Sequence, residues 1–150
     1  MTDIKNIIPI GSDHAGFELK KYLVEKLEKE GFEFKDFGTH SKESVDYPDF
    51  IHPVASAVNN GTYNKGIVIC GSGQGANMVA NKYAGVRSAL CWDVEQAGLT
   101  RQHNNANVLA LPGRFIDFDV AVEAVKVFMH TDFEGGRHQR RIDKISELQR

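Results

Sequence analysis

The chain has 150 residues, which is room for one folded domain, with 41% hydrophobic and 25% charged residues as in an ordinary globular protein. Its 18 basic and 20 acidic residues leave a net charge of −2, which argues against a protein held to nucleic acid mainly by phosphate contacts. No apolar run approaches the roughly 18 residues of a membrane span, and no signal-peptide pattern is seen. The two cysteines, Cys70 and Cys91, make no disulfide framework, so we expect a cytoplasmic protein.

Short apolar runs alternate with amphipathic stretches along the chain. The runs predict five strands, over 6–10, 32–37, 65–70, 86–91 and 107–111. Helical spacing of apolar residues predicts helices over 17–30, 49–59, 75–82, 94–102 and 117–130, followed by a basic helix at about 137–150. Pro9 is unusual in the first strand because proline cannot donate to a strand ladder. This alternation is typical of a single-domain, Rossmann-like α/β fold with a parallel sheet and helices on both faces.

In such a sheet, ligands bind outside the carboxyl ends of the strands. At that edge, the loop after the third predicted strand has the sequence Cys-Gly-Ser-Gly-Gln-Gly (70–75) and leads directly into a helix. Three glycines allow close backbone approach, and the helix N-terminus adds partial positive charge, so the loop is suited to a phosphate or a developing oxyanion.

Two known motifs overlap this loop only in part. Gly71, Gly73 and Ala76 fit the dinucleotide pattern G-x-G-x-x-A, with Asp93 about twenty residues later. That pattern belongs after the first strand, however, and a single domain leaves no second domain for a substrate. A phosphatase loop of the C-x5-R type fails because Ala76 stands where arginine is needed.

The residues alone leave several roles open. Cys70 is either a small buried hydrophobe or a reactive thiol beside a helix N-terminus, whereas Cys91 lacks a glycine turn and is interpreted as structural. Asp13 and His14 follow the first strand, where an aspartate often caps a helix. His103 ends the fourth helix, where a histidine complements the helix dipole.

Three arginines are candidates for binding an anion. Arg114 follows the fifth strand, at the ligand-binding edge of the predicted sheet. Arg137 and Arg141 are four residues apart, on one face of a helix, and could hold one phosphate between them or form a solvated basic surface. The histidines show no H-x3-H pair and the cysteines no C-x2-C pair, so no metal site is predicted.

Several motifs recur together in a known family. They are Asp13-His14-Ala15-Gly16-Phe17, Asp46-Tyr47-Pro48, the loop 70–75, Ala80-Asn81-Lys82, Arg101-Gln102-His103-Asn104 and residues 134–139. In this order they resemble ribose-5-phosphate isomerase of type B, a family that includes allose-6-phosphate isomerase and the galactose-6-phosphate isomerase subunits. The resemblance covers residues 4–145 and implies a three-layer α/β/α sandwich on a five-stranded parallel sheet.

The resemblance implies an aldose–ketose isomerase that needs no metal and no cofactor. Cys70 would move a proton between C1 and C2, and His103, with Asp13 near the ring oxygen, would open the furanose. Some members use a glutamate where this chain has Ala76, which leaves Cys70 without a carboxylate competitor. The other implied contacts are the loop amides of Gly71, Ser72, Gly73, Gln74 and Gly75 for the enediolate, Tyr47 and Asn104 for the sugar, and His14, Arg114, Arg137 and Arg141 for the phosphate.

The resemblance also implies a homodimer or a tetramer in which His103 reaches across a two-fold axis into the partner's site. Three alternatives stay open. The sugar could be a hexose 6-phosphate, allose or galactose, rather than a pentose 5-phosphate. The chain could bind a phosphometabolite without catalysis, or it could be one subunit of a two-chain enzyme.

Overall fold

The computed structural model describes residues 3–147 and contains a five-stranded parallel sheet with helices on both faces. A 3-10 turn over Ile4–Asn6 precedes the first strand. The strands are β1 (Ile8–Ser12), β2 (Phe34–Asp36), β3 (Gly66–Cys70), β4 (Ser88–Leu90) and β5 (Val108–Pro112). The helices are α1 (Phe17–Glu28), α2 (Tyr47–Asn59), α3 (Gln74–Ala80), α4 (Val94–Asn104), α5 (Phe118–His130) and α6 (Arg137–Ile145).

The sheet order is β2-β1-β3-β5-β4, and every neighbouring pair is parallel. Alternate residues of the central strands enter two separate cores, as the two-residue period of a strand requires. Ile67, Ile69 and Leu109 face one core with α1, α4 and α5. Val68 and Cys70 face the other core with α2 and α3. The predicted three-layer α/β/α architecture in a single domain is therefore correct.

The predicted elements are all present, with shifted ends. α1 ends at Glu28, two residues before the predicted end, and β4 is reduced to three residues. The terminal helix α6 ends at Ile145, so the prediction of a helix to 150 is wrong at 146–147, and its last residues, 148–150, lie outside the described residues. No helix in residues 3–147 is both long enough and apolar enough to cross a membrane.

Pro9 lies inside the sheet without breaking it. β1 pairs with β2 from Ile8 to Ile10, and its pairing with β3 begins only at Ile10. The proline therefore precedes the β1–β3 ladder, where its missing N–H would otherwise interrupt the hydrogen bonds.

The two edges of the sheet carry different residues. At the carboxyl edge, where the parallel strands end, lie Cys70 and the loops that follow β1, β3 and β5. At the amino edge, where the strands begin, α4 ends: the carbonyl oxygen of Asn104 accepts a 2.9 Å bond from Nε of Arg87, the residue before β4. The residues of the predicted site are divided between these two edges.

Candidate active site

The glycine-rich loop 70–75 is held against the sheet by its neighbours. The amide of Gly113 donates to the carbonyl of Cys70 at 2.9 Å, and the amide of Arg114 donates to that of Gly71 at 3.0 Å. Gly73 has φ +75°, and a Cβ there would collide with Cδ1 of Leu90 and lie 3.1 Å from the backbone of Leu111. Only glycine fits this position, so the loop requires the residue the sequence provides.

Cys70 ends β3 with its thiol at the beginning of α3. The side chain belongs to the α2–α3 core, and the residue is only 5% exposed. The amide of Ala76 donates to its Sγ atom at 3.4 Å. This contact fixes the sulfur at the first turn of α3, beside the loop amides.

Only some backbone amides of the loop and of the first turn of α3 donate hydrogen bonds within residues 3–147. The amide of Gln74 donates to Oγ of Ser72 at 3.2 Å, and that of Asn77 donates to the carbonyl of Gly73 at 3.0 Å. The amide of Gly75 has no acceptor within residues 3–147. Free amides at a helix start are the donors that an anionic oxygen needs.

Four other predicted site residues lie at the same edge, beside this loop. A Cβ on Gly71 would lie 3.3 Å from Nη1 of Arg114, and a Cβ on Gly75 would lie 2.5 Å from Cζ of Tyr47. These two side chains therefore lie directly against the loop. The loop after β1 carries the other two, Asp13 and His14, and the amide of Asp13 donates to the carbonyl of Ile69 at 3.3 Å.

The loop after β1 fixes the orientation of both of its polar side chains. Oδ1 of Asp13 accepts from the amide of Gly16 at 3.0 Å. Gly16 is the N-cap of α1, so Asp13 holds the turn before the helix and does not cap the helix itself. Nδ1 of His14 accepts from the amide of Val45 at 3.1 Å. An accepting Nδ1 leaves the proton of a neutral imidazole on Nε2, which then can donate to a bound anion.

The remaining site residues lie at the amino edge, around the end of α4. Nε of the buried Arg101 donates to the carbonyl of Thr131 at 3.0 Å, and its Nη1 donates to that of Ala106 at 2.7 Å. The amide of Glu134 donates to the carbonyl of Gln102 at 3.1 Å. These bonds join α4 to the segment that leads into α6, and so hold α6 beside His103.

The rings of His103 and His138 are stacked, with centroids 4.5 Å apart and planes at 17°. Burial, and next the positive charge of Arg137, holds the pKa of His138 below its usual value, so this imidazole stays neutral at physiological pH. Asn104, Arg137 and Arg141 are exposed around this pair. Sequence reasoning missed His138 and Glu134, although their i, i+4 spacing and nearness to Arg137 were available signals.

The two groups of site residues do not meet within one chain. β3 and β5 have five residues each, and at about 3.3 Å per residue such a strand separates the two edges by roughly 13 Å. Groups that transfer protons to one substrate act within hydrogen-bond reach of it, at about 2.6–3.2 Å. Cys70 and His103 of the same chain therefore cannot act on neighbouring atoms of one small sugar.

Cys91 is the structural cysteine that the sequence indicated. It follows β4, is 2% exposed and packs in the core on the α1–α5 face. Burial, with a smaller contribution from Asp93, raises the pKa of its thiol to about 12. It therefore stays protonated at neutral pH and is no candidate for a base.

Known proteins that are similar to this chain identify its family. The profile of the family described as Ribose/Galactose Isomerase matches residues 8–145. Ribose-5-phosphate isomerase B of Escherichia coli is 42% identical over 142 residues, which cover 95% of each protein.

Solved structures of ribose-5-phosphate isomerase B are also similar to this chain. The Clostridium thermocellum ribose-5-phosphate isomerase B has a TM-score of 0.90 at 48% identity, covering 93% of this chain and 94% of that one. The Mycoplasma genitalium enzyme with bound ribulose-5-phosphate has a TM-score of 0.87 at 46% identity and covers 93% of both chains. The fold, the glycine loop and these likenesses lead to one conclusion: the chain belongs to the ribose/galactose isomerase family and is an aldose–ketose isomerase.

Proposed function

We propose that this isomerase interconverts ribose 5-phosphate and ribulose 5-phosphate through an enediolate, with no metal and no cofactor. The observation that carries the proposal is the thiol of Cys70 at the start of α3, beside loop amides suited to an oxyanion. The binding of ribulose-5-phosphate by the Mycoplasma genitalium relative, 46% identical, supports a pentose as the substrate.

Cys70 is the base in this mechanism. The thiolate takes a proton from the carbon beside the carbonyl of the open-chain sugar and returns it to the neighbouring carbon. The amide of Ala76 donates to the sulfur at 3.4 Å and so holds it in position beside the loop amides. Ala76 itself offers no carboxylate, so no second base competes at this position.

The loop 70–75 stabilises the charge that this proton transfer creates. A carbon acid beside a carbonyl is weak, so the enediolate oxygens need donors that are already in place. The amide of Gly75 is available for this role, and the ring of Tyr47 beside it closes one side of the sugar pocket. Removing one such donor typically costs about 10²–10³ in rate.

Ring opening and phosphate binding require the amino edge of a second copy. In this proposal, His103 of that copy, with Asp13 of the first, opens the furanose, and Asn104 binds a sugar hydroxyl. The phosphate is held by the residues His14 and Arg114 of the first copy and Arg137 and Arg141 of the second. Since the two edges of one chain are roughly 13 Å apart, a homodimer with a shared site brings these groups together.

The proposed compartment is the cytoplasm. Both Cys70 and Cys91 are free thiols in the structure, and a catalytic thiol needs a reducing environment to persist.

The substrate is tested by assaying the purified chain with ribose 5-phosphate, allose 6-phosphate and galactose 6-phosphate side by side. We expect the highest kcat/KM with the pentose. A hexose preferred over ribose would overturn the proposed substrate and leave the isomerase chemistry intact. Sugar-phosphate binding with no turnover of any of the three would indicate a binding module or a missing partner chain.

The enediolate route is tested in the same assay run in D₂O. A proton held by a thiol exchanges with solvent, so deuterium should appear at C2 of the aldose. Transfer of label from C1 to C2 without any exchange over many turnovers would favour a hydride shift instead. A chelator should leave the activity unchanged, and a loss restored by added metal would contradict the metal-free mechanism.

A further inference from the structure

One buried polar atom at the amino edge lacks a partner. The side chain of His138 is 8% exposed, and its Nε2 atom makes no hydrogen bond to any described residue. Oε1 of Glu134 lies 3.5 Å from this nitrogen. Because buried polar atoms are almost always satisfied, an unpaired imidazole nitrogen indicates a missing water, ion or ligand.

His138 lies in a group of three side chains of the types that bind metal ions. One ligand atom from each of His103, Glu134 and His138 lies within 4.8 Å of the others. In a tetrahedral zinc site with bonds of about 2.1 Å, neighbouring ligand atoms are about 3.4 Å apart. Because the rings of His103 and His138 are stacked with planes at 17°, one ring must turn before both can point a nitrogen at the same ion. His103 is half-buried and Glu134 is 51% exposed, so these are the two side chains that would move.

The backbone already holds the three residues in this arrangement. The amide of Glu134 is bonded to Gln102, the residue before His103, and the amide of His138 is bonded to the carbonyl of Gly135. The three side chains therefore come from two segments whose backbones are tied together.

We propose that His103, Glu134 and His138 bind one Zn²⁺-like transition-metal ion per chain, and that this ion inhibits the isomerase. Two imidazoles and one carboxylate are a donor set that zinc uses with an open fourth position, whereas Mg²⁺ and Ca²⁺ prefer oxygen ligands. The inhibition rests on the proposed role of His103 in ring opening, because a metal on its nitrogen removes it from proton transfer. The binding itself does not depend on that role.

The charges around the three side chains determine how tightly we expect the metal ion to bind. Glu134 is negative and favours a cation, while Arg137 and Arg141 lie on α6 close enough to act on the charge of His138 and oppose one. We therefore expect binding that is reversible by a chelator and weaker than at structural zinc sites.

The test is calorimetric titration of Zn²⁺ into the metal-stripped full chain, with Glu134→Gln as the principal variant. Glu134→Gln keeps the size of the side chain and removes its charge, and Asp143→Asn makes the same change on α6 outside the cluster. We expect one Zn²⁺ per chain in the native protein and in Asp143→Asn, and affinity at least about tenfold weaker in Glu134→Gln. Glu134→Gln should also stay active at zinc concentrations that inhibit the native enzyme.

A second variant, His138→Gln, should lose zinc binding in the same way, with circular dichroism as the check that it folds. No binding up to about 1 mM zinc would overturn the proposal. So would unchanged affinity in Glu134→Gln, or binding that disappears only in Cys70→Ala, which would place the ion at the thiol. If zinc binds as proposed but His103→Ala retains full turnover, the metal site stands and the role of His103 fails.

Discussion

The carboxyl and amino edges of the sheet differ in how tightly their residues are packed and in how much of them is exposed to solvent. At the carboxyl edge, the loop 70–75 is packed so tightly that Gly73 cannot carry a side chain, and Cys70 is almost completely buried. At the amino edge, Arg137 and Arg141 project from α6 into solvent, and Gly135 has open space around it. A rigid edge suits proton transfer, and a solvated one suits the capture of a charged substrate.

In the proposed mechanism neither edge is a complete site. The carboxyl edge has the proposed base Cys70 and the loop amides, and the amino edge has an imidazole pair and the exposed guanidinium groups of Arg137 and Arg141. Precise positioning is needed where bonds change, whereas a phosphate contact tolerates more freedom. The four predictions below test whether the two edges differ in this way.

The largest effect is expected from the thiol at the carboxyl edge. Cys70→Ala should lower kcat by about 10²–10⁴, because a general base is removed while the sugar phosphate still binds. Cys91→Ala is the matched control, since this buried thiol, with a pKa raised to about 12, has no catalytic role. The measurement is steady-state turnover together with calorimetric substrate binding. Near-normal turnover of Cys70→Ala would remove Cys70 from the mechanism.

Alkylation examines the same pair of cysteines without mutation. The thiolate is the reactive form, so Cys91 should stay unlabelled at any pH well below about 12, where its folded-state thiol is protonated. Iodoacetamide should inactivate the enzyme by labelling Cys70, and substrate should protect it. Mass spectrometry that finds the label on Cys91 in folded protein would contradict this assignment.

Complementation tests whether the two edges of different copies combine. Cys70→Ala and His103→Ala, each inactive alone, are mixed under conditions that exchange subunits. In a shared site, each mixed dimer has one site with both changes and one with neither, so an equal mixture should recover about a quarter of native activity. Dimers confirmed as mixed by native mass spectrometry but without activity would show that the site does not combine the two edges.

The fold and the rigid edge were more predictable than the solvated edge. Strand β3 is an unbroken apolar run, and the three glycines that follow it can serve few other purposes, so the sequence predicts both the strand and the loop. Pro9 looked like an obstacle only because its place before the β1–β3 ladder depends on strand order, which the sequence does not specify.

The cluster around His138 depends on tertiary contacts. It forms because Arg101 joins α4 to Thr131 and thereby places Glu134 and His138 beside His103, more than thirty residues earlier in the chain. Local patterns report on neighbours within a helix or strand, and these contacts lie between elements. A search for H-x3-H pairs therefore could not find the group of three.

The third prediction concerns phosphate capture at the amino edge. Arg137→Ala should raise KM by about 10- to 100-fold with little change in kcat, since a charge-assisted bond contributes about 1.5–3 kcal/mol equally before and during reaction. Lys144→Ala, also an exposed cation of α6, is the control and should leave KM unchanged. Arg137 begins α6, so its removal should not destabilise the helix. Unchanged KM in both Arg137→Ala and Arg141→Ala would show that these arginines do not bind the phosphate and form only a solvated surface.

The smallest effect, and the most direct comparison of the two edges, is expected from two glycines with nearly the same φ. Gly73 has φ +75° and Gly135 has φ +72°, so alanine at either position carries the same left-handed cost of about 1–2 kcal/mol. At Gly135 no residue within 3–147 lies within 4 Å of the added Cβ, and Gly135→Ala should lower the free energy of unfolding by that amount alone. At Gly73 the Cβ also meets Leu90 and the backbone of Leu111, which cannot move aside as a flexible side chain would.

Gly73→Ala should therefore be more destabilising than Gly135→Ala in urea denaturation, and it should also lower kcat because the loop amides shift from their positions. Gly135→Ala should leave kcat unchanged. If both variants lose the same stability and keep the same turnover, the loop 70–75 adapts as freely as the open segment before α6. The carboxyl edge would then not be the rigid one, and the positioning of donors around Cys70 would need another source.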